Sequence, residues 1–320
     1  MLSTILIDAI SMGTIFLFGC VGETLSEKAG NLNLGIPGIM CMGALGGSWG
    51  VMLYSGGFSD TSEMSAFWLI LISIIFAMAF SAFGGLIYAF LTVTLKANQN
   101  VTGLALTTFG VGFMKFFAKR IDMTNFVASS RYFKNLFPFS SKLGTFGKIF
   151  LSHGILVYLA IIVAIIAFIF LKKTKTGLYL RAVGENPATA DAVGINVSKY
   201  KYIFIVLGSA ISGLGGLYYV MDKSGGTTLA EAAIDSFGWL AVALVIATMW
   251  NPLIAIFGSI VFGGLSILAM DIQLSFSQLK LFNIFPYVIT VVILILTSII
   301  GKKETQPPAS LGVNYYREDR

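Results

Sequence analysis

Charged residues are scarce in this chain, and their scarcity excludes a water-soluble protein. They make up 11% of the 320 residues, whereas soluble domains average about 25%. Hydrophobic residues make up 56%, and the mean hydropathy is +0.86. A chain with so little charge cannot keep a surface of this size in water. We therefore expect an integral membrane protein.

Cysteine and histidine are nearly absent, which excludes most metal sites and disulfide frameworks. The chain has two cysteines, Cys20 and Cys41, in or beside apolar runs, and one histidine, His153. A metal site needs a cluster of such ligands, so we expect none. The predicted spans also lack paired carboxylates, so we expect no enzyme active site. The net charge of +6 comes from scattered basic residues, which suits anionic lipid and gives no case for nucleic acid.

The apolar runs that are present have the length of membrane-spanning helices. About 18 or more apolar residues cross a hydrocarbon core of roughly 30 Å, and the runs lack the alternation of a membrane β-barrel. We predict an all-α, polytopic transmembrane helix bundle. Its spans, about nine in number (eight to ten), lie at 4–22, 36–55, 67–95, 101–118, 150–172, 202–222, 236–250, 252–270 and 286–300.

The domain organisation follows from where the apolar runs end. A single transmembrane domain covers residues 1–303, and a polar C-terminal tail covers 304–320. The tail contains Pro307 and Pro308 and a charged end, and we expect it to be frayed and of little importance. No second soluble domain is expected.

Basic residues indicate which side of the membrane faces the cytoplasm. The loop at about 173–201 and the start of the tail are both rich in lysine. Cytoplasmic loops are enriched in Lys and Arg, so we place both segments in the cytoplasm and the amino terminus outside. The 119–149 loop, which would then be external, is also basic and does not fit this scheme.

The cytoplasmic loop contains the signals of one short helix. Asn186 is suited to cap it, Pro187 to its first position and Gly194 to the left-handed residue that ends it. An apolar stripe would be formed by Ala188, Ala192 and Val193. A helix of about two turns is too short to be stable alone, so it must dock on its own spans or on a partner.

Four segments together resemble one family of membrane transport proteins. They are LRAVGENP…ADAVGINV within 180–197, TLSEKAGNLNLGIPG at 24–38, SGLGG at 212–216 and WNPL at 250–253. The first looks like the ATPase-contacting loop of ABC-importer permeases in the branched-chain amino acid and simple-sugar permease superfamily. The second is similar to the signature of the nucleoside-type members.

The resemblance implies a non-catalytic permease subunit of an ATP-driven nucleoside importer in the bacterial cytoplasmic membrane. It implies ATPase subunits, a second homologous permease and an extracellular lipoprotein substrate-binding protein as partners. The chain has no GxxxxGK[ST] loop, so ATP is expected on the partners and no cofactor on this chain. The coupling residues that it implies are Arg181, Gly184, Glu185, Asn186, Pro187, Asp191 and Gly194.

Uncharged polar side chains near the span ends are candidates for the substrate path. Amides and hydroxyls suit a nucleoside, which offers hydrogen-bonding groups and no charge. The candidates are Asn31, Asn33, Asn98, Asn100 and Thr102. The same amides are also suited to cap helices, and the sequence does not decide between the two roles.

Small residues at four-residue spacing predict where spans pack closely. Such patterns let two helix backbones approach each other. The predicted packing residues are Gly43, Gly47, Gly50, Ser212 and Gly216. Packing is favoured over a ligand role at all of them.

Two alternative functions stay open at this point. A member of the same superfamily could carry a simple sugar or a branched-chain amino acid. A protein of another class, an ion-coupled secondary transporter, usually needs ionisable groups inside its spans. The central parts of the predicted spans hold almost none.

Overall fold

The structure is a computed structural model that describes residues 2–58, 60–134, 144–227, 229–271, 284–300 and 306–316. Across these ranges the chain forms thirteen α-helices. In chain order they are α1 Leu2–Lys28, α2 Ile36–Ser55, α3 Ala66–Ala89, α4 Gln99–Ala118, α5 Phe126–Phe133, α6 Gly144–Phe150, α7 Ile155–Lys173, α8 Lys175–Glu185, α9 Pro187–Ala192, α10 Val197–Tyr218, α11 Glu231–Ala247, α12 Pro252–Asp271 and α13 Phe285–Ile300. A π-helical turn extends α3 through Phe90–Thr94 and α10 through Tyr219–Lys223.

Six helices in the described ranges are long and apolar enough to cross a membrane. They are Ser3–Lys28, Ile36–Ser55, Ala66–Thr94, Gln99–Ala118, Ile155–Lys173 and Val197–Lys223. The other three predicted spans correspond to α11, α12 and α13, which have 17, 20 and 16 residues. The all-helical membrane bundle is confirmed, and the count of nine spans stays a prediction.

The first helix is longer than its apolar run. The sequence predicts a span that ends at residue 22, but α1 continues to Lys28 and buries Glu23 and Glu27. The prediction ended the span where polar residues begin. The structure keeps them helical because Thr24 and Leu25 of the same turn are packed inside the bundle. Two carboxylates therefore lie in a helix where the sequence placed a loop.

Helix α10 lies at the centre of the bundle, against α1, α2 and α3. Its backbone meets the neighbouring backbones at glycines: a Cβ on Gly43 would lie 2.3 Å from the carbonyl oxygen of Gly213, and one on Gly22 would lie 2.2 Å from that of Gly208. The other residues predicted for packing also lie at helix contacts: Gly47 against Leu217, Gly50 against Ser73, Gly216 against Met40, and Ser212, whose hydroxyl donates to the carbonyl of Gly19 at 3.3 Å.

The described part of the C-terminal tail is docked on the bundle, so the expectation of a frayed tail is wrong for residues 306–316. The Ser310 amide donates to the carbonyl of Gly184 at 3.0 Å, and the Gly312 amide donates to that of Gly30 at 3.3 Å. Polar composition predicts solvent exposure, but here the polar groups find partners on other loops. The predicted domain boundary at 303/304 lies outside the described residues.

Replacement of Gly43 tests the close contact between α2 and α10. We expect Gly43→Ala to destabilise the protein by about 1–3 kcal/mol, because the added methyl would overlap the Gly213 backbone. Thermal unfolding of the purified protein in detergent measures the change. The control is Gly112→Ala in α4, where no described atom lies within 4 Å of the added methyl. Equal melting temperatures for the two variants would contradict this packing.

Candidate functional site

The predicted coupling loop folds into two consecutive short helices, α8 and α9. Thr174 caps α8 by accepting a hydrogen bond from the Gly177 amide at 3.0 Å. Asn186 caps α9 by accepting from the Thr189 amide at 3.0 Å, and Gly194 has a φ of +88° just beyond its end. The local signals at Asn186, Pro187 and Gly194 therefore act as the sequence predicts. The sequence analysis missed α8.

A periodic signal for α8 is present in the sequence. Leu180, Val183 and Gly184 are buried, whereas Arg181 and Glu185 are exposed. That is the spacing of an amphipathic helix.

Helix α9 packs against the chain with a different face from the one predicted. Ala190 is buried in a small apolar cluster with Val183 and Val197. Ala192 is exposed, and the Val193 side chain is 71% exposed. The inner face of α9 thus holds the helix in place, and an apolar patch at its end faces outward.

The end of α8 touches the end of α1 through backbone contacts. A Cβ on Gly184 would lie 2.3 Å from the carbonyl oxygen of Lys28 and 3.2 Å from the amide nitrogen of Gly30. Only glycine fits at such a distance. The α8–α9 pair is therefore in direct contact with the chain where it leaves α1.

Residues 29–35, here called the α1–α2 segment, run through the interior without forming a helix. Buried backbone groups outside regular structure need other partners, and four side chains supply them. Gln99 accepts from the Leu32 amide at 2.8 Å, Tyr88 donates to the Leu32 carbonyl at 2.6 Å, Glu23 accepts from the Asn33 amide at 2.9 Å and Thr107 donates to the Leu34 carbonyl at 2.8 Å. Helix α2 therefore begins inside the bundle, level with the third turn of α4.

Two buried carboxylates lie beside the α1–α2 segment. Glu23 and Glu27 are one helical turn apart, and Glu27 accepts a hydrogen bond from the indole of Trp250. Lys28 lies over the same indole, with its Nζ 5.8 Å from the ring centroid. Several other buried polar atoms have no hydrogen-bond partner among the described residues: Ser26 Oγ, Asn33 Nδ2 and both amide atoms of Asn31. A buried polar group costs free energy when no protein group, water or bound molecule pairs with it.

The residues predicted for the substrate path lie on two segments that contact each other, the α1–α2 segment and the start of α4. Asn31 and Asn33 are 1% and 0% exposed and lie inside this chain. Asn98, Asn100 and Thr102 lie at the first turn of α4. There Asn98 caps the helix by accepting from the Val101 amide at 3.1 Å, and Thr102 donates to the Asn98 carbonyl at 2.8 Å. The sequence analysis missed the side chains that hold the segment, Glu23, Tyr88, Gln99 and Thr107.

Comparison with known proteins assigns the chain to a transport family. Residues 5–294 match the family described as the branched-chain amino acid transport system / permease component. The chain belongs to this family. It is a non-catalytic membrane subunit of an ABC importer, located in the cytoplasmic membrane. Such a permease acts with a binding protein and with ATPase subunits, which bind the ATP.

Three curated relatives share 32% identity with this permease. The nucleoside ABC transporter permease protein NupC of Lactococcus lactis is matched over 99% of this chain and 98% of its own length. The guanosine ABC transporter permease protein NupQ of Bacillus subtilis is matched over 94% and 92%. TsgC13 of Haloferax volcanii, provisionally assigned as a glucose ABC transporter permease protein, is matched over 82% and 76%.

The hydrogen bond from Thr107 to the α1–α2 segment can be tested by an isosteric change. We expect Thr107→Val to lower the free energy of unfolding by about 1–2 kcal/mol, because the buried Leu34 carbonyl loses its donor. Thr108→Val is the matched control, since the Thr108 hydroxyl donates to Leu104 in the preceding turn of its own helix, at an exposed position. Unfolding measurements in detergent should give a lower free energy of unfolding for Thr107→Val than for Thr108→Val. Indistinguishable stabilities would show that the bond to Leu34 is not needed.

Proposed function

We propose that this permease forms the translocation path for nucleosides together with a second permease. Two relatives with nucleoside or guanosine in their names match this chain over nearly its whole length. This similarity carries the proposal. TsgC13 has the same identity over less of the chain, so a simple sugar is the alternative substrate.

The segment that suggested a nucleoside from the sequence is a buried structural element. Residues 24–38 form the end of α1, the α1–α2 segment and the start of α2. Asn31 and Asn33 are enclosed by this chain. We infer that the two amide side chains pack the segment in the closed arrangement. They could contact a substrate only when the α1–α2 junction opens. Asn98, Asn100 and Thr102 remain proposed path residues at the start of α4.

We further propose that the ATPase binds α9 and that its movement is transmitted to the permease through this helix. A helix of 6 residues is unstable on its own. Here it is capped by Asn186, anchored through Ala190 and exposed at Val193. Pro187 and Asp191 of α9 and its flanking residues Asn186 and Gly194 would meet the ATPase, with Arg181 and Glu185 exposed at the end of α8. Gly184 would transmit the movement of α9 to α1 through its backbone contact with Lys28.

Uptake by the assembled transporter tests the substrate class. Cells that express the permease with the second permease, the ATPase and the binding protein should accumulate tritiated nucleoside. Excess unlabelled nucleoside should abolish this signal, and glucose or leucine should leave it unchanged. ATP depletion should stop uptake, and collapse of the proton gradient alone should not. Competition by glucose but not by nucleosides would establish the sugar alternative.

A charged residue on the exposed end of α9 tests the coupling proposal. We expect Val193→Asp to reduce the amount of ATPase that co-purifies with the permease and to reduce uptake at least tenfold, because the carboxylate would be buried against the ATPase at a cost of about 2 kcal/mol or more. The control is Val127→Asp in α5, where the valine is 49% exposed. Both variants should reach the membrane in normal amounts. Normal uptake by Val193→Asp would refute the proposed role of α9.

A further inference from the structure

The described C-terminal tail is hydrogen-bonded to α9, to the end of α8 and to the segment between α3 and α4. Tyr315 donates a hydrogen bond from its hydroxyl to Oδ2 of Asp191, in α9 itself, at 2.9 Å. Asn314 donates from Nδ2 to the carbonyl of Lys96 at 2.7 Å and accepts from Gln99 at 3.2 Å. Ser310 donates from its hydroxyl to the carbonyl of Gly184 at 2.6 Å. The tail is therefore fixed beside α9 by hydrogen bonds to three separate segments.

Two surface grooves flank α9, and the tail lines both of them. The first, of about 590 Å³, lies between residues 191–198 and the pair Tyr315 and Tyr316. The second, of about 310 Å³, lies between residues 185–188 and the tail from Ala309 to Tyr316. A protein that entered both grooves would therefore also contact the tail.

The exposed side chains of the tail have the composition of a protein-binding surface. The Val313 side chain is 59% exposed, and the Tyr316 side chain is 43% exposed. Lys96 lies over the Tyr316 ring, with its Nζ 5.9 Å from the centroid, and partial burial lowers the pKa of Lys96. Tyrosine is enriched where interfaces gain most of their binding energy, which favours Tyr316 as a contact residue.

We propose that the ATPase subunit docks on a composite surface made of α9 and tail residues 309–316. This inference rests on the proposed coupling role of α9 and extends it to a segment that the sequence analysis regarded as dispensable. The tail would enlarge the contact on both sides of a helix of only 6 residues. Its bonds to Asp191 and Gly184 would also keep α9 in one orientation when the ATPase pulls on it.

Photocrosslinking in the assembled transporter tests the surface without disturbing it. A photoreactive phenylalanine analogue is placed singly at Val313, at Thr189 in α9 and at the exposed Phe257 of α12 as a control. We expect crosslinks to the ATPase from Val313 and Thr189 and none from Phe257. A crosslink from Thr189 alone would overturn the tail proposal while supporting the coupling role of α9. No crosslink from either position would overturn both.

Replacement of Tyr316 tests whether the tail contributes to ATPase binding and uptake. We expect Tyr316→Ala to lower uptake and the amount of bound ATPase several-fold, with no change in the melting temperature of the isolated permease. Tyr316→Phe should keep most of the uptake and most of the bound ATPase, because the ring would remain over Lys96. Normal uptake and ATPase binding by Tyr316→Ala, together with no crosslink from Val313, would show that the tail lies outside the interface.

Discussion

The structure depends on one constraint, which is that a buried backbone without helical hydrogen bonds needs other partners. The α1–α2 segment is largely buried within the bundle, where its amides and carbonyls need partners within the protein. Glu23, Tyr88, Gln99 and Thr107 supply the bonds from α1, α3 and α4. Because these four side chains must converge on one segment, the ends of the three helices are held in a single arrangement.

The same segment connects the interior of the bundle to the surface that we propose for the ATPase. Gly184 at the end of α8 lies against the backbone of Lys28 and Gly30, and the tail binds Gly30 and Gly184 together. A displacement of α9 would therefore change contacts at the start of the α1–α2 segment. Unpartnered polar atoms of Ser26, Asn31 and Asn33 also lie at this junction.

The features that the sequence predicted are the ones set by local chemistry. Long apolar runs indicated the helices, and Asn186, Pro187 and Gly194 indicated α9, because a cap or a left-handed residue acts within one turn of its own position. Glu23 and Glu27 were missed because a helix ending cannot be judged from polarity when tertiary contacts bury the polar residues. The docked tail was missed for a similar reason, since Ser310, Asn314 and Tyr315 find partners more than 100 positions away in the chain. The candidate path was the least predictable part, because an amide has the same appearance in a sequence whether it caps a helix, packs a segment or binds a substrate.

Hydrogen–deuterium exchange on the transporter assembled with its ATPases tests the central claim most directly. Exchange is followed with and without a non-hydrolysable ATP analogue, and peptides from 29–35, 186–194 and the outer helix 126–133 are compared. The account predicts that nucleotide changes the exchange of 29–35 and 186–194 together and leaves 126–133 unchanged. A change at 186–194 with none at 29–35 would contradict a mechanical link between α9 and the α1–α2 segment.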